Sequence, residues 1–271
     1  MASASVTISS DPFAQRFAEL AAQRRSALVV YLTAGHPDLT RSLELLHGVE
    51  EAGADVVEVG VPFSDPLADG PVIQASSQRA LDGGMTFDRS LELIARAGLR
   101  VPVVLFTYLN PLLAAGDDAL RRAASAGANG ILITDLPLGA DPALEERIAN
   151  GPLAFVRLVA PTTPSHRMAD IARHGSGFVY LISRMGVTGL RSEVAPELPA
   201  TVGRLRAATE LPICVGFGIS TPAQAAVVAR LADGVVVGSA LVRAADSSVD
   251  EAVRLVRSLR SAMDEARQTA G

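Results

Sequence analysis

The sequence predicts an α/β protein, a single (β/α)8 TIM barrel with an extra helix before the first strand. Eight short runs rich in β-branched residues are distributed over 271 residues. Each run is near-continuously apolar, as parallel strands buried on both faces must be. Stretches of helical period separate them, so strand and helix alternate as in a barrel. A doubly wound open sheet shares that alternation and is the competing architecture.

Residues 1–10 lack both a charged start and a sustained apolar stretch, and read as a mobile lead-in rather than a secretory signal. Asp11-Pro12 opens the extra helix, Phe13–Gln23, ahead of the first strand, Leu28–Thr33. The helix Thr40–Ala52 carries Leu43, Leu46 and Val49 at three-to-four spacing and leads to the second strand, Asp55–Gly60. A Pro- and Gly-rich loop then runs into a helical stretch, Val72–Leu81. The third strand is Val101–Tyr108, after which Asp117 and Asp118 can cap Ala119–Ala126. The fourth, fifth and sixth strands are Gly130–Asp135, Leu153–Val159 and Gly177–Ser183. Pro212–Gly216 is the seventh, and Thr221-Pro222 opens the helix Ala223–Leu231 with proline at its first position. Gly234–Gly238 and a terminal helix, Val249–Arg267, complete one domain spanning 1–271. A repeated phrase, Glu51-Ala-Gly-Ala-Asp55, Ser125-Ala-Gly-Ala-Asn129 and the shorter Leu231-Ala-Asp-Gly234, ends a helix and feeds the next strand each time.

Composition removes several function classes. A net charge of -5 argues against a nucleic-acid partner, and no apolar run approaches membrane-spanning length. Cys214 is the sole cysteine, which rules out internal disulfides and fits a reducing cytoplasm. All 24 basic residues are arginine. Without lysine, no Schiff base can form on a lysine amine and no pyridoxal phosphate can be anchored that way. The four histidines, His36, His47, His166 and His174, show no metal-ligand spacing backed by cysteine, so no metal is expected.

The chemistry concentrates in Glu58-Val-Gly-Val-Pro-Phe-Ser-Asp-Pro-Leu-Ala-Asp-Gly70. Glu58 interrupts an apolar strand on the same face as Val56. That face is assigned to the barrel interior, where desolvation raises its pKa toward the range of a neutral-pH proton carrier. The competing role is a structural pair with a core arginine such as Arg157. Asp69 precedes Gly70-Pro71 and by spacing alone suits a helix cap as well as catalysis. At the far end, Gly216-Phe-Gly-Ile-Ser220 and Val237-Gly-Ser-Ala240 follow the seventh and eighth strands, where barrels bind phosphate through backbone amides and hydroxyls. Gly186-Val-Thr-Gly189 can close the same site. Ordinary strand-to-helix turns also select Gly and Ser, so the two positions together carry this reading.

The run Glu58–Pro71 resembles the signature of the tryptophan synthase alpha subunit family. The resemblance continues in Tyr31-Leu-Thr-Ala-Gly35, Tyr108-Leu-Asn-Pro111, Tyr180–Gly189, Gly216–Ser220 and Gly238-Ser239, in order along nearly the whole chain. It implies retro-aldol cleavage of indole-3-glycerol phosphate to indole and glyceraldehyde 3-phosphate, with Glu58 and Asp69 catalytic. It implies phosphate ligands at Gly189, Gly218, Gly238 and Ser239, and an indole pocket lined by Tyr31, Phe106, Leu132, Tyr180 and Phe217. It also implies no cofactor on this chain, with pyridoxal phosphate confined to a separate beta subunit in an alpha2beta2 heterotetramer. Pro62, Asp65 and Asn110, with Tyr108 and Leu109, would face that partner. Departures from the family pattern fall at Phe106, Thr134 and His36, and in the loop carrying Leu190 and residues 192–199. A stand-alone lyase releasing free indole, or a non-catalytic paralogue, would share most of these motifs.

Overall fold

The computed structural model describes residues 11–183, 196–216 and 218–268. The lead-in 1–10, Gly189, Leu190 and Phe217 lie outside the described residues. Helix α1 (Pro12–Ala22) precedes β1 (Ala27–Thr33), and α2 (Leu39–Glu51) connects it to β2 (Val56–Gly60). Two helices, α3 (Pro71–Asp82) and α4 (Phe87–Ala97), separate β2 from β3 (Val103–Thr107). Then come α5 (Leu109–Ala114), α6 (Ala119–Ser125), β4 (Gly130–Ile133), α7 (Pro142–Ala149) and β5 (Ala154–Val159). They are followed by α8 (Ser165–Arg173), β6 (Val179–Ile182), α9 (Leu198–Arg206) and β7 (Ile213–Gly216). The described chain closes with α10 (Pro222–Leu231), β8 (Gly234–Val237), α11 (Ser239–Ser247) and α12 (Val249–Gln268). The strands pair in sequence order and β8 returns to β1, all parallel, so the sheet is a closed barrel. The open-sheet alternative is excluded by that closure.

Alternation along each strand divides the core in two. Val57, Val59 and Leu105 face the surrounding helices, whereas Val29, Val56, Val104, Leu132 and Val156 fill the barrel interior. Helix α1 gives the interior its floor. Asp11 caps it by accepting the Phe13 amide at 2.9 Å, and Phe13, Phe17 and Leu20 all join the interior cluster. Phe13 and Phe17 stand 5.8 and 6.0 Å from the Phe178 ring. Burying such a side chain stabilises by about 1.5–3 kcal/mol. With its N-terminal end stoppered in this way, the barrel leaves the other end for a site.

The repeated phrase has a second task beyond stopping helices. Gly53 and Gly127 take left-handed φ values of 103° and 106°, which only glycine adopts without strain. The polar residue that follows then reaches to the neighbouring strand. Asp55 accepts the Leu28 amide at 2.9 Å, Asn129 that of Val103 at 2.9 Å, and Asp233 that of Ile213 at 2.8 Å. Each satisfies a strand-end donor that has no ladder partner. Asp118 differs from expectation: its side chain accepts from Arg122 at 3.0 Å and makes no cap bond, because an intrahelical ion pair competes for the carboxylate.

Candidate active site

Val56 belongs to the interior cluster, and Glu58, two residues on, follows the same face into a cavity of about 400 Å³ at the C-terminal mouth. Its neighbours across the sheet are Tyr31 and Val104. Glu58 is 1% exposed, and its Oε1 has no hydrogen-bond partner. Burial alone pushes its pKa up to about 8. The alternative of a structural pair fails. Arg157 points outward from β5, donates to Glu145 Oε2 at 2.6 Å, and reaches the carbonyls of Leu136 and His174.

The loop after β2 carries Asp69 to the same cavity. Two hydrogen bonds from the Gln74 side chain, to the carbonyls of Asp69 (2.9 Å) and Pro66 (3.4 Å), tie the loop to α3. The N-cap of α3 is Gly70, with no side-chain cap bond, so Asp69 is not a cap. Its Oδ2 instead accepts the Tyr108 hydroxyl at 3.0 Å. Burial raises the Asp69 pKa and this hydrogen bond opposes the rise, leaving it at about 6. Tyr108 is 4% exposed. It was expected to face a partner with Leu109 and Asn110, and that expectation is corrected: its hydroxyl is drawn inward between Asp69 and the Ala68 amide. Asp65 is exposed and accepts from the Ser64 hydroxyl at 2.6 Å, and Asn110 is also exposed. Pro62, two residues past β2, is buried.

The walls are aromatic. Tyr31 and Phe106 meet edge to face with ring centres 5.1 Å apart, and both line the cavity with Tyr180. Two glycines make room for the tyrosines. A Cβ at Gly60 would lie 2.1 Å from the Tyr31 hydroxyl, and one at Gly216 would lie 2.3 Å from that of Tyr180. Leu132 does not line the wall; it is fully buried in the packed interior, alongside Phe106 on the neighbouring strand. Thr134 also stays off the wall and donates to the Thr107 carbonyl at 3.4 Å. His36 is buried against Asp246 of α11 at 3.2 Å, away from the cavity.

Opposite the acids the cavity turns polar. Gly218, with φ of 84°, and Gly238, Ser239 and Ser220 all line it. Gly238 is the N-cap of α11 and Ser239 its first residue, so the unpaired first amides of that helix begin here. Arg243, one turn further on, lines the cavity as well and was missed from sequence. Among the described residues no group of three His, Cys, Asp or Glu side chains stands ready to hold a metal ion.

Two carboxyls whose pKa values stand near 6 and 8 share one mouth, so between those limits one is charged and the other carries a proton. A closed (β/α)8 barrel with such a pair at the strand C-termini defines an acid–base barrel enzyme. Comparison with known proteins narrows the class. The profile of the tryptophan synthase alpha chain family matches residues 17–270. The tryptophan synthase alpha chain of Gluconacetobacter diazotrophicus is 48% identical over 241 residues, 88% of each chain. That of Citrifermentans bemidjiense is 50% identical over 231 residues, covering 84% of this chain and 86% of its own. The crystal structure of tryptophan synthase subunit alpha from Legionella pneumophila superposes with a TM-score of 0.86 at 35% identity, over 95% of this chain and all of that one. The chain belongs to the tryptophan synthase alpha chain family, lyases of tryptophan biosynthesis that cleave indole-3-glycerol phosphate.

Proposed function

We propose that Glu58 and Asp69 divide the cleavage of indole-3-glycerol phosphate between them. In its protonated form Glu58 gives a proton to indole C3, and the positive charge that results is shared onto N1–H. The Asp69 carboxylate, held by Tyr108, stabilises that charge electrostatically. Glu58, now a carboxylate, takes the proton of the side-chain hydroxyl that becomes the aldehyde. As that carbonyl forms, the carbon–carbon bond breaks and its electrons form the C2=C3 double bond, while the C2=N1 π pair returns to nitrogen and restores neutral indole. One proton has moved from oxygen to carbon, and Glu58 is protonated again. The substrate serves as its own electron sink, in keeping with a chain that has no lysine for an imine.

The observation that carries this reading is the buried Glu58 carboxyl, its Oε1 without a hydrogen-bond partner, facing a cavity walled by Tyr31, Phe106 and Tyr180. The aromatic walls suit the flat indole ring, to which Phe217 would add by the family resemblance. Gly218, Gly238 and Ser239, joined by Gly189, would hold the phosphate through backbone amides and one hydroxyl. The reading takes residues 1–271 as one cytoplasmic domain without a cofactor of its own.

The family implies a beta-subunit partner. We assign the contact to the rim of the Asp69 loop and α5, where Asp65 and Asn110 are exposed beside two bare apolar side chains. Leu67 is 92% exposed and Leu113 50%. Exposed apolar side chains beside a catalytic loop suit a docking surface for a subunit that receives indole in an alpha2beta2 assembly and carries pyridoxal phosphate. The test is indole release by the purified chain, alone and with a tryptophan synthase beta subunit. Slow release that rises strongly with the partner is expected. Fast unassisted release would reassign the chain as a stand-alone lyase, and none under either condition would overturn the catalytic reading.

A further inference from the structure

The polar end of the cavity is built almost wholly from neutral donors. Gly218, Gly238, Ser220 and Ser239 offer amides and hydroxyls but no charge. A phosphate ester carries nearly two negative charges near neutral pH, and the chain has no lysine to meet them. Asp69, ionised near neutral pH, shares the same cavity and repels an anion. Among the described residues that line it, Arg243 is the one cation. It lies four residues beyond Ser239 on α11 and therefore on the same helix face, above the first amides. Its side chain is exposed and makes no ion pair with any described carboxylate, whereas Asp246 on the same helix is taken by Arg79 at 2.9 Å. An arginine with no ion-pair partner among the described residues, beside a row of neutral donors, is available to an incoming anion.

We propose that Arg243 is the charge-selecting residue of the phosphate end, favouring substrates with a dianionic phosphate over neutral or singly charged analogues. The inference rests on the phosphate reading above and adds to it the group that senses charge. Arg243 is remote from the reacting carbon, so its contribution is to binding and to the salt dependence of binding, not to the proton transfers.

The test compares wild type with Arg243→Gln, Arg243→Lys and, as a control for net charge, Arg257→Gln on the exposed side of α12. The KM for indole-3-glycerol phosphate and competitive inhibition by inorganic phosphate are measured at low and high salt. Arg243→Gln is expected to raise KM and the phosphate inhibition constant together, by roughly tenfold, with kcat little changed. It should also flatten the salt dependence of KM. Arg243→Lys should recover most of the loss, and Arg257→Gln should behave as wild type. Equal phosphate inhibition in wild type and Arg243→Gln would overturn the role of Arg243 while leaving the phosphate site standing. Failure of Arg243→Lys to recover binding, or a fall in kcat without a change in KM, would also overturn it. Failure of phosphate to compete in wild type would instead remove the phosphate reading itself.

Discussion

The Tyr108 hydroxyl donates to Asp69 Oδ2 at 3.0 Å while accepting the Ala68 amide, also at 3.0 Å. One phenol thus fixes the position of Asp69 and favours its charge, since a donor to a carboxylate favours its ionised form. Tyr108→Phe removes that donor and lets burial push the Asp69 pKa higher. We expect kcat/KM at neutral pH to fall roughly tenfold, with the acidic limb of the rate profile moving to higher pH. An unmoved acidic limb would show that Tyr108 does no more than pack.

The pair predicts a bell-shaped dependence of kcat/KM on pH. Activity requires ionised Asp69, which is lost as pH falls through about 6, and protonated Glu58, which is lost as pH rises through about 8. Substrate phosphate also ionises near 6, so the alkaline limb is the cleaner readout. A flat profile up to about pH 9 would contradict the assignment of Glu58 as the initial acid.

Much of this was legible from sequence, for a physical reason in each case. Glu58 declared itself because a carboxyl amid Val56, Val57 and Val59 violates the strand's own pattern, and alternation gives its face. The glycine- and serine-rich turns declared themselves by falling after the last two strands. The role of Asp69 was not legible by spacing, because its partner is 39 positions away. The resemblance turned Tyr108 toward a partner, whereas its hydroxyl is held inward by Asp69 and the Ala68 amide. Gly60 and Gly216 looked like ordinary strand-end glycines, yet each clears space for a tyrosine on another part of the barrel. Arg243 was invisible because a lone arginine on an amphipathic helix reads as a solvated face until α11 is set against the cavity.

Retaining a buried acid costs stability, with a predictable sign. A carboxyl whose folded pKa stands above its unfolded value holds more protons when folded, so stability falls as pH rises between the two values. For Glu58 that window runs from 4.5 to about 8. Glu58→Gln should match wild type near the bottom of the window and exceed it by on the order of 5 kcal/mol at the top. Denaturant unfolding at both ends checks this. A gap that does not grow with pH would mean that the Glu58 carboxyl is not desolvated.

The floor of the barrel should be separable from its mouth. Phe13 is fully buried against Phe178, far from the acids. Phe13→Ala is expected to lower stability by about 3–5 kcal/mol. The variant that still folds at low temperature should keep a near-wild-type kcat. A large fall in kcat at intact fold would show that α1 shapes the site as well as closing the barrel.

The most direct test of the account is the turnover of Glu58→Gln on indole-3-glycerol phosphate, measured with its KM. Glutamine keeps the size of the side chain and removes the transferable proton. The account predicts a loss in kcat of at least about two decades with KM nearly unchanged. Turnover at the wild-type rate would contradict it.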